Sequence, residues 1–346
     1  MWAMNKLTKK DRARILHLLC EGQSIRAVTR LTGASKNTVI KLLVDAGRIC
    51  SAYQDRTLRN LKSERVQVDE TWTFTYTKQA NVKHAKAAPK DAGDTWTWTA
   101  LCADTKLLIS WFVGGRDTDA ALMFLDDLKE RLSNRVQLTS DAWKPYSEAV
   151  GTIFGDDVDY AMLVKIYGPS LEGERRYSPP VCLGAQKRPR IGNPDPKKIS
   201  TSYVERNNLT MRMHMRRFTR LTNAFSKKLE NHVAAVSLHS FYYNFVRIHK
   251  TLKVSPAMAA GVTDRLWEMS DVVELLEAWE TKERRDMKPM FQIIQWKIGS
   301  GWYVRITLPN EEPILMDGFT SENDAALWIK NDSAAYLHKR RQQIAG

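Results

Sequence analysis

Cysteine is scarce in this chain of 346 residues, and its distribution argues against two kinds of covalent framework. The four cysteines stand at positions 20, 50, 102 and 182, and no two of them form a C-x-x-C pair. The pattern therefore predicts neither a disulfide framework nor a zinc site. Such scattered cysteines are typical of a protein from a reducing compartment.

Long apolar runs are also missing. No stretch approaches the roughly 18 consecutive apolar residues that a membrane-spanning helix needs, and the N-terminus carries no apolar signal segment. From these two absences we expect a soluble, cytoplasmic protein.

Acidic residues are outnumbered, which leaves the chain strongly basic. The sequence holds 53 Lys and Arg against 39 Asp and Glu, for a formal net charge of +14. A surplus of this size indicates a polyanionic partner such as nucleic acid, although it says nothing about the fold.

The first 50 residues have the pattern of a helix-turn-helix. Three short amphipathic helices are predicted, with Ser24 and Ser35 as N-caps and Gly33 as a helix stop. In a DNA-binding motif of this kind the last helix reads the bases. Its exposed polar residues near the start are Lys36, Asn37 and Lys41. The alternative is a plain three-helix bundle with a solvated basic face.

A change of pattern at Arg65 separates this region from the next. Residues 51–63 are polar and predicted as a linker. From Arg65 onward, three β-rich stretches predict a meander, followed by an amphipathic helix and by two further strands. This order is that of a ribonuclease-H-like α/β domain with a mixed sheet, which we place at residues 64–260.

The remaining segments complete the predicted organisation. Residues 168–200 are rich in proline and glycine and are predicted as an insertion loop without long regular elements. Two long helices should follow it. Residues 261–290 are predicted as a connecting helix, and residues 291–346 as a small α+β accessory module built from a hairpin and a helix.

Three carboxylates stand where such a fold can bring them together. Asp69 lies in the first predicted strand, Asp141 ends the fourth, and Glu205 opens the helix after the insertion. Three clustered acids repel one another unless cations bind between them. Two Mg²⁺ ions, or Mn²⁺, about 4 Å apart would suit such oxygen ligands and catalyse phosphodiester chemistry. For each acid alone, a surface salt bridge is the more ordinary interpretation.

Glu205 is also the one acid in a strongly basic stretch, and basic residues surround the predicted site. We expect them to contact the DNA backbone. The candidates outside the first 50 residues are Lys187, Arg188, Arg190, Arg206, Asn208, Arg212, Arg216, Arg217 and Lys227.

The sequence around the three acids resembles that of the insertion-sequence-one family of bacterial and archaeal transposases. The stretches that carry the resemblance are "VDETW", "SDAWKPY" and "SYVERNNLTMRMHMRRFTRLTNAFSKKLENH", with the closing segment "YNFVRIHKTLKVSPAMAAG". The resemblance covers roughly residues 64–260. Many members of the family carry an N-terminal zinc-binding segment, which is absent here, so end recognition would rest on the helix-turn-helix.

The resemblance implies a DDE transposase in a prokaryotic cytoplasm, associated with the nucleoid. Asp69, Asp141 and Glu205 would hold two divalent ions and support transposon end cleavage and strand transfer. The partners would be double-stranded DNA, as terminal inverted repeats and target, and further copies of the chain in a dimer or larger synaptic complex. Two alternatives stay open: a catalytically silent DNA-binding regulator, and a structure-specific nuclease.

Overall fold

The computed structural model describes residues 7–168, 181–219, 222–286, 290–295, 301–307 and 314–337. They belong to two compact units, Met1–Leu276 and Glu277–Gly346. Among these described residues no helix is both long and apolar enough to pass through a bilayer. All the residues predicted for the active site and for DNA binding belong to the first unit.

The three predicted N-terminal helices are present. They are α1 (Lys9–Cys20), α2 (Ile25–Thr32) and α3 (Lys36–Thr57). The predicted caps act as expected, because the hydroxyls of Ser24 and Ser35 accept hydrogen bonds from the backbone N–H three residues on. Gly33 ends α2 with a φ of 72°, a left-handed conformation that favours glycine.

Helix α3 is longer than the sequence suggested. It continues to Thr57, so most of the polar stretch predicted as a linker is helical. The reason is tertiary, since α3 packs against α8 (Leu229–Phe241). A Cβ atom at Gly47 would lie 2.6 Å from Ala234, so only glycine permits this approach. Gln54 then bonds to Ser240 at 2.6 Å. The predicted domain edges at residues 50 and 63 thus fall inside one compact unit.

A six-stranded mixed sheet forms the centre of the first unit. Its strands are β1 (Arg65–Thr75), β2 (Gly93–Cys102), β3 (Leu108–Gly114), β4 (Val136–Ser140), β5 (Val158–Tyr167) and β6 (Cys182–Ile191), and the short helix α4 (Gln79–Val82) lies between β1 and β2. Their order is β3-β2-β1-β4-β5-β6. The meander β1-β2-β3 is antiparallel, whereas β1, β4 and β5 run parallel. The predicted mixed α/β fold class is confirmed.

Alternation along β1 assigns its side chains to two helical layers. Glu70 faces the layer of α5 (Thr118–Arg131) and α6 (Lys144–Phe154), where it meets Tyr146. Asp69 faces the opposite layer, which contains α7 (Ser202–His214) and α8. Neighbouring residues of a strand point to opposite faces, so these two adjacent acids serve different sides of the sheet.

Strand β6 was not expected. The region 168–200 was predicted to lack long regular elements, yet β6 pairs with β5 over most of its length. Proline is tolerated here because β6 is the edge strand, and Pro189 lies beside a register shift in the pairing. Residues 169–180 of that predicted loop lie outside the described residues.

The helices after β6 are shorter than predicted. Helix α7 ends at His214, and Arg216 begins a short 3₁₀ segment. Arg216 therefore lies outside the helix that carries Glu205. The chain leaves the helix at Met215 and buries Phe218 against the ring of His232, with ring centroids 5.1 Å apart. The unit continues through α9 (Pro256–Ala259) into α10 (Met269–Asp286).

The second unit contains a three-stranded antiparallel sheet and one helix. They are β7 (Met290–Gln295), β8 (Trp302–Thr307), β9 (Ile314–Phe319) and α11 (Glu322–Asn331). Val304, Ile306 and Ala325 are fully buried between the sheet and the helix. The predicted hairpin and helix are present, and β9 is an addition to them.

A single side chain from the sheet sets where α7 begins. Thr201 precedes the helix but its hydroxyl does not cap the backbone. Instead the side-chain oxygen of Gln67, a buried residue of β1, accepts from the backbone N–H of Tyr203 at 2.8 Å and of Val204 at 3.1 Å. These are the second and third N–H groups of the helix, the ones that an N-cap side chain normally satisfies.

We predict that Gln67→Ala lowers the free energy of unfolding by roughly 1–2 kcal/mol, because two buried donors lose their acceptor. Chemical denaturation measures the change. Gln67→Glu keeps an acceptor oxygen but adds a buried acid beside Asp69, so it should be less destabilising than Gln67→Ala at acidic pH, where that carboxyl is protonated. Gln186→Ala, on the exposed strand β6, is the control and should have almost no effect. Equal stability of Gln67→Ala and the unsubstituted protein would contradict the capping role.

Candidate active site

Asp69 and Asp141 lie level with each other on neighbouring parallel strands. Gln67 pairs with Thr139, and each aspartate follows two residues after its member of that pair. Strand β4 ends at Ser140, so Asp141 stands just past its carboxyl end, whereas β1 continues beyond it. The sequence predicted this juxtaposition, and the register of the sheet provides it.

Glu205 approaches the same place from α7, where it lies in the first turn. The helix is tied to β1 a second time by Asn208, three residues after Glu205. The Asn208 amide donates to the Asp69 carboxylate at 2.7 Å and its oxygen accepts from Thr99 at 3.3 Å. Asn208, predicted to contact DNA, is buried and orients Asp69 instead.

The acids influence one another electrostatically. Burial, followed by the negative charges of Glu70, Asp141 and Glu205, raises the pKa of Asp69 to about 7. A backbone hydrogen bond opposes this shift. Repulsion of this kind is what a bound cation would relieve. A carboxyl group whose pKa is displaced by burial and by specific charged neighbours is also a candidate for function.

Glu70 belongs to the same group of acids, and the sequence analysis missed it. Its carboxylate is almost fully buried and accepts from Arg116 at 2.6 Å and from the Tyr146 hydroxyl at 3.0 Å. Burial and Asp141 raise the pKa of Glu70, while Arg116 lowers it in part. The sequence did offer a signal for Glu70, since alternation places this acid on a buried face of the first predicted strand. A buried carboxylate requires partners, so such a position indicates a paired or functional acid.

Arg116 links Glu70 to Asp141. Its guanidinium lies 3.9 Å from the Asp141 carboxylate and stands over the rings of Trp96 and Trp143, at 4.7 and 5.1 Å from their centroids. Stacking between two indole rings holds the arginine in place. Asp141 is 41% exposed, so this side of the site is open to solvent.

Lys165 is a second cation at the site that sequence reasoning did not identify. It projects from β5 and forms an ion pair with Glu205 at 2.5 Å. The Thr201 hydroxyl donates to the same carboxylate. Burial lowers the pKa of Lys165, but the hydrogen bond and the charge of Glu205 outweigh it and the net shift is upward.

The donor set suits a hard divalent cation, since carboxylate oxygens are the ligands that Mg²⁺ and Mn²⁺ prefer. Within the described part of the chain, however, no three His, Cys, Asp or Glu side chains converge closely enough to hold a metal ion as they stand. Glu205 accounts for this, because Lys165 and Thr201 occupy its carboxylate. The residues fit the cation in type and in mutual repulsion, provided that Glu205 can turn away from Lys165.

The predicted DNA contacts differ in exposure. Several are exposed to solvent, namely Lys36, Asn37, Lys41, Lys187, Arg188, Arg190, Arg206, Arg216 and Lys227. Lys41 pairs with Asp45, while Arg212 is half-buried. Arg217 is half-buried, and its guanidinium donates to Ser226 at 2.9 Å and to the carbonyl of Asn231. Arg217 therefore directs its donors inward.

One cavity brings together basic residues from distant parts of the sequence. It has a volume of about 700 Å³ and lies between the N-terminal helices and the segment that follows α7. Lys36, Arg216 and Lys227 all line it. The start of α3 and the region after α7 thus share one basic surface.

No protein-family model matches the chain, and no curated protein matches it in sequence. The solved structures to which the chain shows similarity include the following two. One is a cryo-EM structure of the simian T-cell lymphotropic virus intasome in complex with the PP2A regulatory subunit B56 gamma, with 13% identity over 88% of this chain and 95% of that chain and a TM-score of 0.32. The other is a cryo-EM structure of a piggyBac transposase synaptic complex with hairpin DNA, with 9% identity over 82% and 75% and a TM-score of 0.35.

At identities and TM-scores this low, neither similarity indicates a function for this chain. The resemblance to the insertion-sequence-one family likewise depends on its sequence motifs alone and stays a prediction.

The raised pKa of Asp69 makes the stability of the metal-free protein depend on pH. The folded state binds the proton more tightly than the unfolded chain, whose aspartate titrates near the ordinary value of 3.8. This contribution to stability is complete below that value and is lost as the pH rises to about 7. Above that pH the folded protein carries the full cost of the buried charge.

We therefore expect Asp69→Asn to stabilise the metal-free protein by roughly 1–3 kcal/mol above that pKa and by much less at acidic pH. Thermal unfolding in a chelator, at pH values on either side of the pKa, measures the difference. Asp126→Asn, an exposed change on α5, is the matched control. A constant difference across the whole pH range would show that the Asp69 carboxyl does not titrate in this window.

Proposed function

We propose that this chain is a DDE transposase, which cleaves transposon ends and joins them to target DNA in a metal-dependent reaction. The observation that carries the proposal is the level placement of Asp69 and Asp141 on neighbouring parallel strands, with Glu205 held beside them on α7. Mutual repulsion among these acids, expressed in the raised pKa of Asp69, supports a cation between them.

In this proposal Asp69, Asp141 and Glu205 hold two Mg²⁺ or Mn²⁺ ions. When bound, such ions activate an attacking oxygen and stabilise the leaving oxygen of a phosphodiester. The other side chains have supporting tasks. Asn208 orients the Asp69 carboxylate, Arg116 restrains Asp141, and Lys165 releases Glu205 when the site assembles.

The proposed reaction is two in-line displacements at phosphorus. A water oxygen first forms a bond to the phosphorus at the transposon end, and the bond to the 3′ oxygen breaks. The freed 3′-hydroxyl then attacks a target phosphodiester, whose own 3′ oxygen leaves. In each displacement one P–O bond forms and one breaks. The first converts a phosphodiester into a 5′-phosphate monoester and a free 3′-hydroxyl, which takes up a proton from the water, and the second exchanges one phosphodiester for another with release of the target's 3′-hydroxyl. No covalent protein intermediate forms.

The exposed basic residues support double-stranded DNA as the substrate. Arg206 lies one residue from Glu205, and Arg216 and Lys227 line the cavity that Lys36 also borders. Backbone contacts by such residues position DNA without reading its sequence. Base recognition would come from the start of α3, through Lys36, Asn37 and Lys41. Two transposon ends must be joined, so the active form would be a dimer or a larger oligomer.

A catalytically silent DNA-binding regulator is the second candidate, and one observation favours it. Glu205 is paired with Lys165, and no three acids converge among the described residues. A nuclease on the same fold would cut DNA but perform no strand transfer. Both alternatives are separated from the transposase by assays of cleavage and joining.

The direct test replaces each acid by its neutral isostere. Asp69→Asn, Asp141→Asn and Glu205→Gln should each reduce Mg²⁺-dependent cleavage by more than about a hundredfold. Binding to DNA, measured by gel shift, should change little because the exposed basic surface is intact. The control is Asp126→Asn, which should cleave normally. Cleavage at the unsubstituted rate by any of the three variants would remove that residue from the proposed site.

Lys165 gives a second test, with metal affinity as the readout. Lys165→Met should raise the affinity of the DNA-free protein for Mn²⁺ by roughly twofold to fivefold, because the ion no longer competes with a partly exposed ion pair. Lys165→Arg, which can keep the pair, should bind Mn²⁺ like the original protein. Isothermal titration calorimetry measures both. Unchanged affinity in Lys165→Met would mean that Lys165 does not control access to Glu205.

A further inference from the structure

A row of half-buried aromatic rings lies on one face of the sheet close to the acids. Trp72 and Phe74 follow Glu70 at alternate positions of β1 and therefore share its face. Trp96 on β2 pairs directly with Trp72 and belongs to the same face. Farther along, under α5 and α6, Trp98 is fully buried, whereas the rings of the row are partly exposed.

Phe225 extends the row beyond the sheet. Its ring lies 4.8 Å from that of Phe74, which in turn lies 5.9 Å from that of Trp72. Ser226 forms a parallel bridge with Thr75, and this bridge holds Phe225 beside the end of β1. We call Trp72, Phe74, Trp96 and Phe225 the aromatic row.

Cations accompany the aromatic row. Lys78 lies 6.0 Å from the Trp72 ring, and Lys227 lies 4.5 Å from the Phe225 ring. Arg116 stands over Trp96. Lys78 and Lys227 are exposed, and in the part of the chain that the structure describes neither forms an ion pair with a carboxylate. Because both lysines are exposed and without a carboxylate partner among the described residues, they can bind phosphate groups beside the partly exposed rings.

Aromatic rings with flanking cations suit a ligand that offers both flat stacking surfaces and negative charge. Unpaired nucleotides offer base faces that stack on aromatic side chains and phosphates that bind lysine or arginine. A duplex keeps its base faces stacked within the helix and offers none of them to a protein surface. We propose that the aromatic row is a stacking platform for an unpaired DNA strand.

The platform lies within reach of the acids. Trp72 stands three residues from Asp69 along β1, a distance of about 10 Å at the usual rise of a strand. The two side chains face opposite sides of the sheet, but β4 stops at Ser140 and leaves the edge of β1 beside Asp69 without this neighbour. Asp69 and Trp72 are both partly exposed along this edge, and Asp141 beside it is 41% exposed. A strand held at the acids would therefore pass close to the row. The ligand class rests on the proposed function, since DNA cleavage at the acids would present a strand there.

The test measures binding of a short fluorescent oligodeoxythymidine by anisotropy, in a chelator, so that no cleavage is required. Trp72→Ala and Phe225→Ala should each weaken binding by roughly fivefold or more, the loss expected for one stacked base. Trp111→Ala is the matched control. It removes a partly buried tryptophan of the same sheet from the opposite face, where it packs against the cluster of Leu101, Leu108, Val204 and Tyr243, and should leave the affinity unchanged.

An abasic oligonucleotide of the same length separates stacking from charge. Trp72→Ala should bind it as the original protein does, because there is no base to stack. Lys78→Ala, an exposed change that leaves the rings in place, should weaken binding to both oligonucleotides alike and reduce the salt dependence. Trp72→Phe should restore most of the affinity for oligodeoxythymidine. Thermal unfolding of each variant shows whether the fold is retained.

Three outcomes would overturn the proposal: no loss in Trp72→Ala or Phe225→Ala, an equal loss on the abasic strand, or a change in self-association by sedimentation with unchanged affinity for the strand. The last would assign the row to contact between copies of the chain. These results are independent of catalysis. If the protein cleaves DNA but fails this binding test, the proposed function stands and the stacking platform is wrong. If it binds the strand as expected but cleaves no DNA, the platform stands and the proposed function is wrong.

Discussion

The hydrogen bonds between the Gln67 side chain and the first turn of α7 fix the geometry on which the rest of the site depends. Gln67 lies two residues before Asp69, and the N–H groups that it accepts from immediately precede Glu205. The same residue pairs with Thr139, which lies two residues before Asp141. One buried amide therefore sets the positions of all three acids relative to the sheet. Because Glu205 sits in the first turn, the helix dipole also favours its negative charge.

Concentrating acids at one edge has an electrostatic cost, and the two faces of the sheet offset it in different ways. On the α6 side, Arg116 neutralises the buried Glu70 and approaches Asp141. On the α7 side, Lys165 pairs with Glu205, while Asp69 receives the neutral amide of Asn208. An amide compensates a carboxylate less than a cation does, which agrees with the upward shift in the pKa of Asp69. The negative charge that these contacts leave unbalanced is centred on Asp69, whose pKa is raised by Glu70, Asp141 and Glu205.

Features that depend on local sequence signals could be predicted, whereas features that depend on tertiary contacts could not. Alternation and turn residues predicted the meander, β4 and β5, and the acids at Asp69 and Asp141, because period and strand ends are local properties. The continuation of α3 to Thr57 depends on Gly47 meeting Ala234, a contact between residues far apart in the chain. Strand β6 depends on the exposed end of β5 as its partner. Lys165 and Arg116 could not be assigned for the same reason, since their roles arise from the carboxylates opposite them.

Because β4 ends early, the acidic and the aromatic side chains of β1 lie along a stretch of strand that β4 leaves unpaired. Alternation gives one face to Asp69 and the other to Glu70, Trp72 and Phe74. Pairing with β4 covers only Arg65 to Gln67, and in the described structure the next backbone bridge on that edge joins Thr75 to Ser226. Between these points Asp69, Trp72 and Phe74 are partly exposed, one on the first face and two on the second. Had β4 continued alongside β1, acids and rings would be separated by a paired strand. A short β4 is therefore the feature that lets charged and aromatic side chains act on one ligand.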